Sequence, residues 1–180
     1  DQGWFDERGI AIPNLAERLD LVALGTVADV VPLDANNRIL TWQGMSRIRA
    51  GKCRPGIKAL LEVANRDPQK LAASDLGFAL GPRLNAAGRL DDMSVGVALL
   101  LCDNIGEARV LANELDALNQ TRKEIEQGMQ VEALTLCEKL ERSRDTLPGG
   151  LAMYHPEWHQ GVVGILASRI KERFHRPVIA

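Results

Sequence analysis

The sequence has no stretch of about 18 consecutive uncharged apolar residues, so none of it reads as a membrane-spanning helix. It lacks a signal-peptide pattern, and it begins at Asp1 rather than Met. The expectation is a chain that starts inside a longer protein. Cysteine is scarce: Cys53, Cys102 and Cys137 are far apart and odd in number, which fits neither a disulfide framework nor a zinc site. A reducing, cytoplasmic setting is expected. Excess charge is also missing. The net charge is −2, so the whole chain carries no electrostatic footprint for nucleic acid. What is present is globular composition, 46% apolar and 26% charged, enough for one or two compact units.

Charge is uneven, however. Residues 35–61 contain Arg38, Arg47, Arg49, Lys52, Arg54 and Lys58 and no Asp or Glu. Such a run can face phosphates, or it can be an ordinary solvated surface.

Pro13-Asn14 reads as a helix start, and helical spacing continues over residues 14–30 through Leu15, Leu19, Val22, Ala23, Thr26 and Val27. Pro32 stops that element. Asn36-Asn37 opens a second helix through about Arg49, and short helices are expected near 56–65 and from Ser74-Asp75 to Gly81-Pro82. Residues 83–93 form a compact stretch, with small residues between Arg83 and Arg89 that let a backbone approach something closely. A helix at about 94–101 follows. The longest signal runs over 105–142, where Leu111, Leu115, Leu118, Ile125 and Met129 make one apolar seam that Arg122 interrupts. After Pro148-Gly149-Gly150 come a short strand from Leu151, a polar loop over 155–160, a helix over 161–174 and a second strand from Pro177. That order suggests a cut-off α/β unit.

Three places can carry chemistry. Asp29 is the only charge between Asp20 and Asp34. A carboxylate in an apolar run is costly unless it is paired or holds a metal, although a helix-end carboxylate turned to water explains it equally well. One Asp cannot hold Mg²⁺ or Mn²⁺ alone. Arg83 and Arg89 suit bidentate phosphate contact, with Asn85 as a donor between them. The bland alternative ties both arginines to Asp91 or Asp92. In the last segment His155 and His159 read as loop residues near phosphate, because Pro156 opposes a helical metal pair. Gly161 opens a helix whose free N–H groups can hold an anion, and Ser168 and Arg169 follow two turns on. Trp158 can stack on a base or plug a core.

These stretches, ALGTVADVVPL (23–33), GPRLNAAGRLDD (81–92) and HPEWHQGVVGILASRIKERFHRPVIA (155–180), resemble in order three motifs of the RecJ branch of the DHH phosphoesterase superfamily. The resemblance covers nearly the whole chain. The sequence departs from the family's full pattern in having neither an Asp-His-His tripeptide nor a Gly-Gly-His stretch. It implies an α/β fold: the mostly helical C-terminal part of a DHH domain over 1–103, a long connecting helix over 104–146, and the start of a DHHA1 domain over 147–180. It also implies 5′-to-3′ exonuclease action on single-stranded DNA in repair and recombination, with two Mn²⁺ or Mg²⁺ ions. Asp29 matches the metal-binding aspartate, and Arg83, Asn85, Arg89, His159, Gly161, Ser168 and Arg169 match or adjoin phosphate-contacting positions. Single-stranded DNA is the implied partner, with a single-strand-binding protein or a helicase as further candidates. Other DHH phosphodiesterases, acting on oligoribonucleotides or cyclic dinucleotides, share Asp29 but not the Arg-Asn-Ala-Ala-Gly-Arg stretch. A non-catalytic DNA-binding role for the isolated chain stays open.

Overall fold

The structure is a computed structural model that describes residues 3–143 and 148–180. The expected boundary between connector and last segment, at 146/147, lies outside the described residues. The fold is largely helical with one small parallel sheet. None of its described helices is long and apolar enough to cross a membrane. Contacts group the chain into two compact units, residues 1–82 with 98–112 and residues 83–97 with 113–180.

The first unit holds α1 (Trp4–Glu7), α2 (Leu19–Ala28), α3 (Ala35–Arg49), α4 (Pro55–Val63) and α5 (Ala73–Asp75). Asn14 starts a helical turn as its sequence suggests, with its side chain accepting from Ala16 N–H at 3.2 Å. A 3₁₀ turn, Leu15–Arg18, leads from it into α2. The cap of α3 is Asp34, which accepts from Asn37 N–H at 2.8 Å, rather than the Asn36-Asn37 pair. Asp competes well with Asn at this position, and Asn37 donates instead to the Pro32 carbonyl oxygen at 2.9 Å. Helices α2 and α3 cross without a spacer. A Cβ on Gly44 would stand 2.0 Å from the Leu19 carbonyl oxygen. The buried faces supply Leu24, Ile48, Ile57, Leu60, Leu61, Leu71, Leu76 and Leu80 to one core.

One expectation is corrected at Gly81-Pro82. These residues do not end a helix. A π turn, Leu76–Leu80, joins α5 to α6 (Gly81–Leu90), so the compact stretch from Arg83 to Leu90 is helix. Proline lacks an N–H and its ring collides with the carbonyl four residues back. Widening the preceding turn relieves both problems. Helix α7 (Ser94–Leu101) follows, and α8 (Ile105–Ser143) runs unbroken for 39 residues, about 58 Å at 1.5 Å per residue.

In the second unit β1 (Leu151–Ala152), α9 (Val163–Phe174) and β2 (Val178–Ile179) form a parallel strand–helix–strand unit. Leu151 N–H donates to Pro177 O and Met153 N–H to Ile179 O, both at 2.8 Å. Leu151 and Met153 turn inward and Ala152 and Tyr154 outward, the period of a strand. Met129, Ala133 and Cys137 of α8 close this core with Trp158, Val162, Leu166 and Ile170. Burial pushes the Cys137 thiol above its ordinary pKa, so it sits there as a small apolar side chain.

Gly44 and Gly128 test the packing. Gly44→Ala forces a methyl group into the α2–α3 crossing and is expected to cost roughly 1–3 kcal/mol. Gly128, exposed on α8 with nothing within 4 Å of its would-be Cβ, is expected to gain up to about 1 kcal/mol on change to Ala. Urea unfolding midpoints check both.

Candidate nucleic-acid interface

Asp29 caps the C-terminal end of α2, and its side chain is exposed. Its N–H bonds to Gly25 O at 3.0 Å, while its carboxylate makes no bond with a described residue. The helix closes as a Schellman motif, with Val30 N–H on Val27 O at 3.2 Å and Val31 N–H on Thr26 O at 3.0 Å. That motif places a residue in the left-handed region, where glycine is the usual occupant. Here Val30 takes it, at φ 55°. A β-branched side chain is strained there. The strain sits directly beside the one carboxylate that the sequence singles out.

The basic run 35–61 is structural in part. Arg49 donates through Nε (2.9 Å) and Nη2 (2.6 Å) to Leu71 O. Arg54 donates to Leu100 O, Leu101 O and Asp103, each at 2.7–2.8 Å, closing the end of α7. Asp20 is fully buried and accepts Leu21 N–H and Arg54 N–H at 2.8 and 2.7 Å. This buried carboxylate was not singled out from the sequence. Its position, one residue into a helix, resembles an ordinary first-turn acid.

The remaining candidates all fall in the second unit. Arg89 and Gly161 meet backbone to backbone. A Cβ on Gly161 would lie 2.1 Å from Arg89 O, and Arg89 Nη1 donates to Gly161 O at 3.1 Å. Gly161 N–H is taken by His159 Nδ1 at 3.1 Å, and His159 O accepts Val162 N–H and Val163 N–H at 2.9 and 3.1 Å. Helix α9 begins at Val163 and not at Gly161, so the N–H groups of Gly161 and Val162 lie in the turn before it, and its own first N–H, that of Val163, is already occupied. Asn85, Arg89, Ser168 and Arg169 are exposed, and His159 is half-buried.

The arginines differ in how far they are committed. Arg83 Nε donates to Asp116 at 2.7 Å, so its partner lies on α8 and not at Asp91 or Asp92. Those two aspartates act locally: Asp91 accepts Asp92 N–H and Asp92 accepts Ser94 N–H, each at 2.9 Å. The Ser94 donors hold the Asp92 carboxyl below its usual range. Arg169 reaches Glu126 at 3.3 Å and Glu172 at 3.7 Å, and Glu126 also pairs with Arg122. Arg122, the break in the apolar seam, is thus neutralised inside the second unit. Arg89 forms no ion pair with a described residue. Trp158 is a core plug, 9% exposed, with Nε1 donating to Glu132 at 2.8 Å. Asp116, Glu126 and Glu132 have no sequence signal of their own; they look like any solvent-facing acid on an amphipathic helix.

Among the described residues no three His, Cys, Asp or Glu side chains gather to hold a metal ion. Asp29 can supply one carboxylate, which does not make a Mg²⁺ or Mn²⁺ centre by itself.

No family model matches the chain. It is 98% identical over 180 residues to the single-stranded-DNA-specific exonuclease RecJ of Escherichia coli, covering all of this chain and 31% of that protein. It is 37% identical over 175 residues to the RecJ of Thermus thermophilus, covering 97% of this chain and 25% of that protein. A crystal structure of Thermus thermophilus RecJ in complex with Mg²⁺ superimposes with a TM-score of 0.78 at 37% identity, over 97% of this chain and 26% of that one. A structure of exonuclease RecJ bound to manganese matches with a TM-score of 0.77 over 97% of this chain and 42% of that one. The expected resemblance to RecJ thus holds from end to end, and the chain spans about a third or less of the length of these curated relatives.

Val30→Gly is expected to stabilise the protein by about 1 kcal/mol, because glycine meets no Cβ penalty in the left-handed region. Differential scanning calorimetry reads this directly, and a lower Tm would contradict the strain at Val30. Gly161→Ala is expected to lower the unfolding midpoint, whereas Gly164→Ala, with nothing within 4 Å, leaves it unchanged or raised.

Proposed function

We propose that this chain is a section of a RecJ-type exonuclease that degrades single-stranded DNA from the 5′ end, working in DNA repair and recombination. In this reading residues 1–103 are the C-terminal part of a DHH domain, 104–146 the connecting helix and 147–180 the start of a DHHA1 domain. The observation that carries it is the junction of Arg89 with Gly161. Two motifs that resemblance assigns to phosphate contact, far apart in sequence, are held together by backbone packing in one unit.

Within that unit Arg89 is the phosphate anchor, because its guanidinium holds a carbonyl and no carboxylate. Asn85 and Ser168 add exposed neutral donors. Arg83 and Arg169 are pre-oriented by Asp116 and Glu126, and a phosphate shares them with those acids. His159 and Gly161 shape the turn rather than supplying charge.

Asp29 contributes one ligand to a metal site completed by residues beyond this chain. Its free carboxylate supports that role, as do relatives whose structures hold Mg²⁺ or Mn²⁺. Bound ions of this kind activate water and offset charge at the phosphate. From this chain alone no hydrolytic step follows, since Asp29 is a single ligand. The free Cys53, Cys102 and Cys137 fit a reducing cytoplasm. A single-strand-binding protein or a helicase remains a candidate partner.

Two measurements test this. The full-length protein is expected to release nucleotides from 5′-labelled single-stranded DNA with Mn²⁺, and Asp29→Ala to abolish that release. The isolated 180-residue chain, once circular dichroism shows it folded, is expected to be inactive yet to bind single-stranded DNA weakly. Arg89→Ala is expected to flatten the dependence of log K on log salt by roughly 0.7, the share of one phosphate. Arg109→Ala, which removes an ion pair to Glu62, is expected to leave that slope alone. Cleavage by the isolated chain, or equal slopes for the two arginine variants, contradicts the reading.

A further inference from the structure

We propose that a basic pocket in the first unit, walled by Arg18, Arg47 and Lys52, binds a phosphate group of the nucleic-acid backbone. It lies between the Leu15–Arg18 turn, the last turn of α3 and the loop before α4. Its volume is about 320 Å³, and Glu17, Cys53 and Arg54 complete its lining.

Three observations converge on an anion. The first is uncompensated charge. Arg49, Arg54, Arg66 and Arg109 of the same unit each hold a carbonyl or a carboxylate. The side chains of Arg18, Arg47 and Lys52 form no ion pair with a described residue, although the chain as a whole carries a net charge of −2. Glu17 is the one carboxylate in the lining, and it accepts from the Asn14 amide at 3.4 Å. Like charges held around one concavity repel, and a bound anion removes that cost.

The second is an orphan donor. The Nε of Arg47 is buried and has no hydrogen-bond partner. A buried charged donor without an acceptor is a standing penalty. The negative end of α3 favours a cation at Arg47, which explains the charge but supplies no acceptor for Nε. The third is donor type: a guanidinium offers a fork that takes two oxygens of one tetrahedral anion, and a second guanidinium and the ammonium of Lys52 line the same pocket. Arg54 is not part of this fork. Its guanidinium is spent on Leu100, Leu101 and Asp103, so it acts as wall.

Nucleic acid as the source of the phosphate rests on the function proposed above; the pocket's preference for an anion does not. The test has an arm for each. In the full-length protein, inorganic phosphate is titrated against chloride at matched ionic strength while Tm is followed. Binding of a single-stranded oligonucleotide is measured in EDTA between 50 and 200 mM salt. The variants are Arg47→Gln, Lys52→Gln and the double change, with Lys70→Gln as control. Phosphate is expected to raise the Tm of the wild type and of Lys70→Gln but not of the double variant. The double variant is also expected to lose roughly 0.7 from the salt slope and several-fold in affinity at 50 mM salt. Lys52 is exposed, so its single variant reports on the pocket even where the Arg47 change disturbs folding. A double variant with wild-type slope, affinity and phosphate response overturns the proposal. A wild type that binds no single-stranded DNA overturns the nucleic-acid reading itself. The phosphate arm alone then decides whether the pocket is an anion site.

Discussion

Gly161 stands so close to the carbonyl oxygen of Arg89 that no side chain fits between them, and the second unit is arranged around that contact. Interiors are close-packed, so a backbone-to-backbone approach sets the position of both partners more tightly than a side-chain contact does. On one side it fixes the end of α6, and with it the exposed face carrying Asn85 and Arg89. On the other it fixes the turn through His159, whose ring and carbonyl occupy the first N–H groups before α9. At Gly161, therefore, glycine is a packing requirement first. Charge is arranged on top of it, because only after the backbones are seated does Arg89 Nη1 reach Gly161 O.

The first unit follows a different rule, in which ionic groups hold backbone ends. Asp20 sits at the bottom of the core and accepts from Arg54 N–H, while the Arg54 side chain gathers the last carbonyls of α7. A buried carboxylate is tolerable when its oxygens receive N–H donors, and both Asp20 oxygens do. Arg49 on Leu71 O is a second example. A basic run that looks like a nucleic-acid surface in sequence is thereby divided. Some of its members are consumed as caps, and Arg47 and Lys52 are left over.

Much of this architecture is legible in the sequence, and the reasons are local. The helix over 105–142 declares itself through Leu111, Leu115, Leu118, Ile125 and Met129, and α8 runs over that span without a break. Its full buried stripe is wider than those residues show. Ala108, Ala112, Ala133 and Cys137 also face inward, and alanine carries no directional signal in a pattern of apolar residues. The strand–helix–strand order at the C-terminal end is equally plain, since alternation and helical spacing follow one another with turn residues between. Gly81-Pro82 misleads for a physical reason. Two residues that usually stop a helix are carried through by a single widened turn, and no propensity argument anticipates a π turn. Long-range partners are invisible for a similar reason. Asp116 as the acceptor for Arg83, and Glu126 for Arg169, are surface-type residues that become specific only when α8 is packed.

The site residues show the same division between what a motif announces and what the fold decides. Asp29 is conspicuous as a lone acid, and the structure places it as an exposed carboxylate at a helix end, bonded to no described residue. What the sequence does not show is that Val30 occupies a left-handed conformation normally left to glycine. Glycine there would relax the turn but also loosen it, since glycine samples many more backbone states. The strained valine raises the energy of this turn, so the end of α2 is held by the two Schellman bonds and not by the valine itself. Strain of this kind persists only where surrounding bonds over-determine it, and here the Val27 and Thr26 carbonyls do so. The strain at Val30 is thus a cost that this turn carries within its bonding, beside a carboxylate whose sequence gives no sign of it.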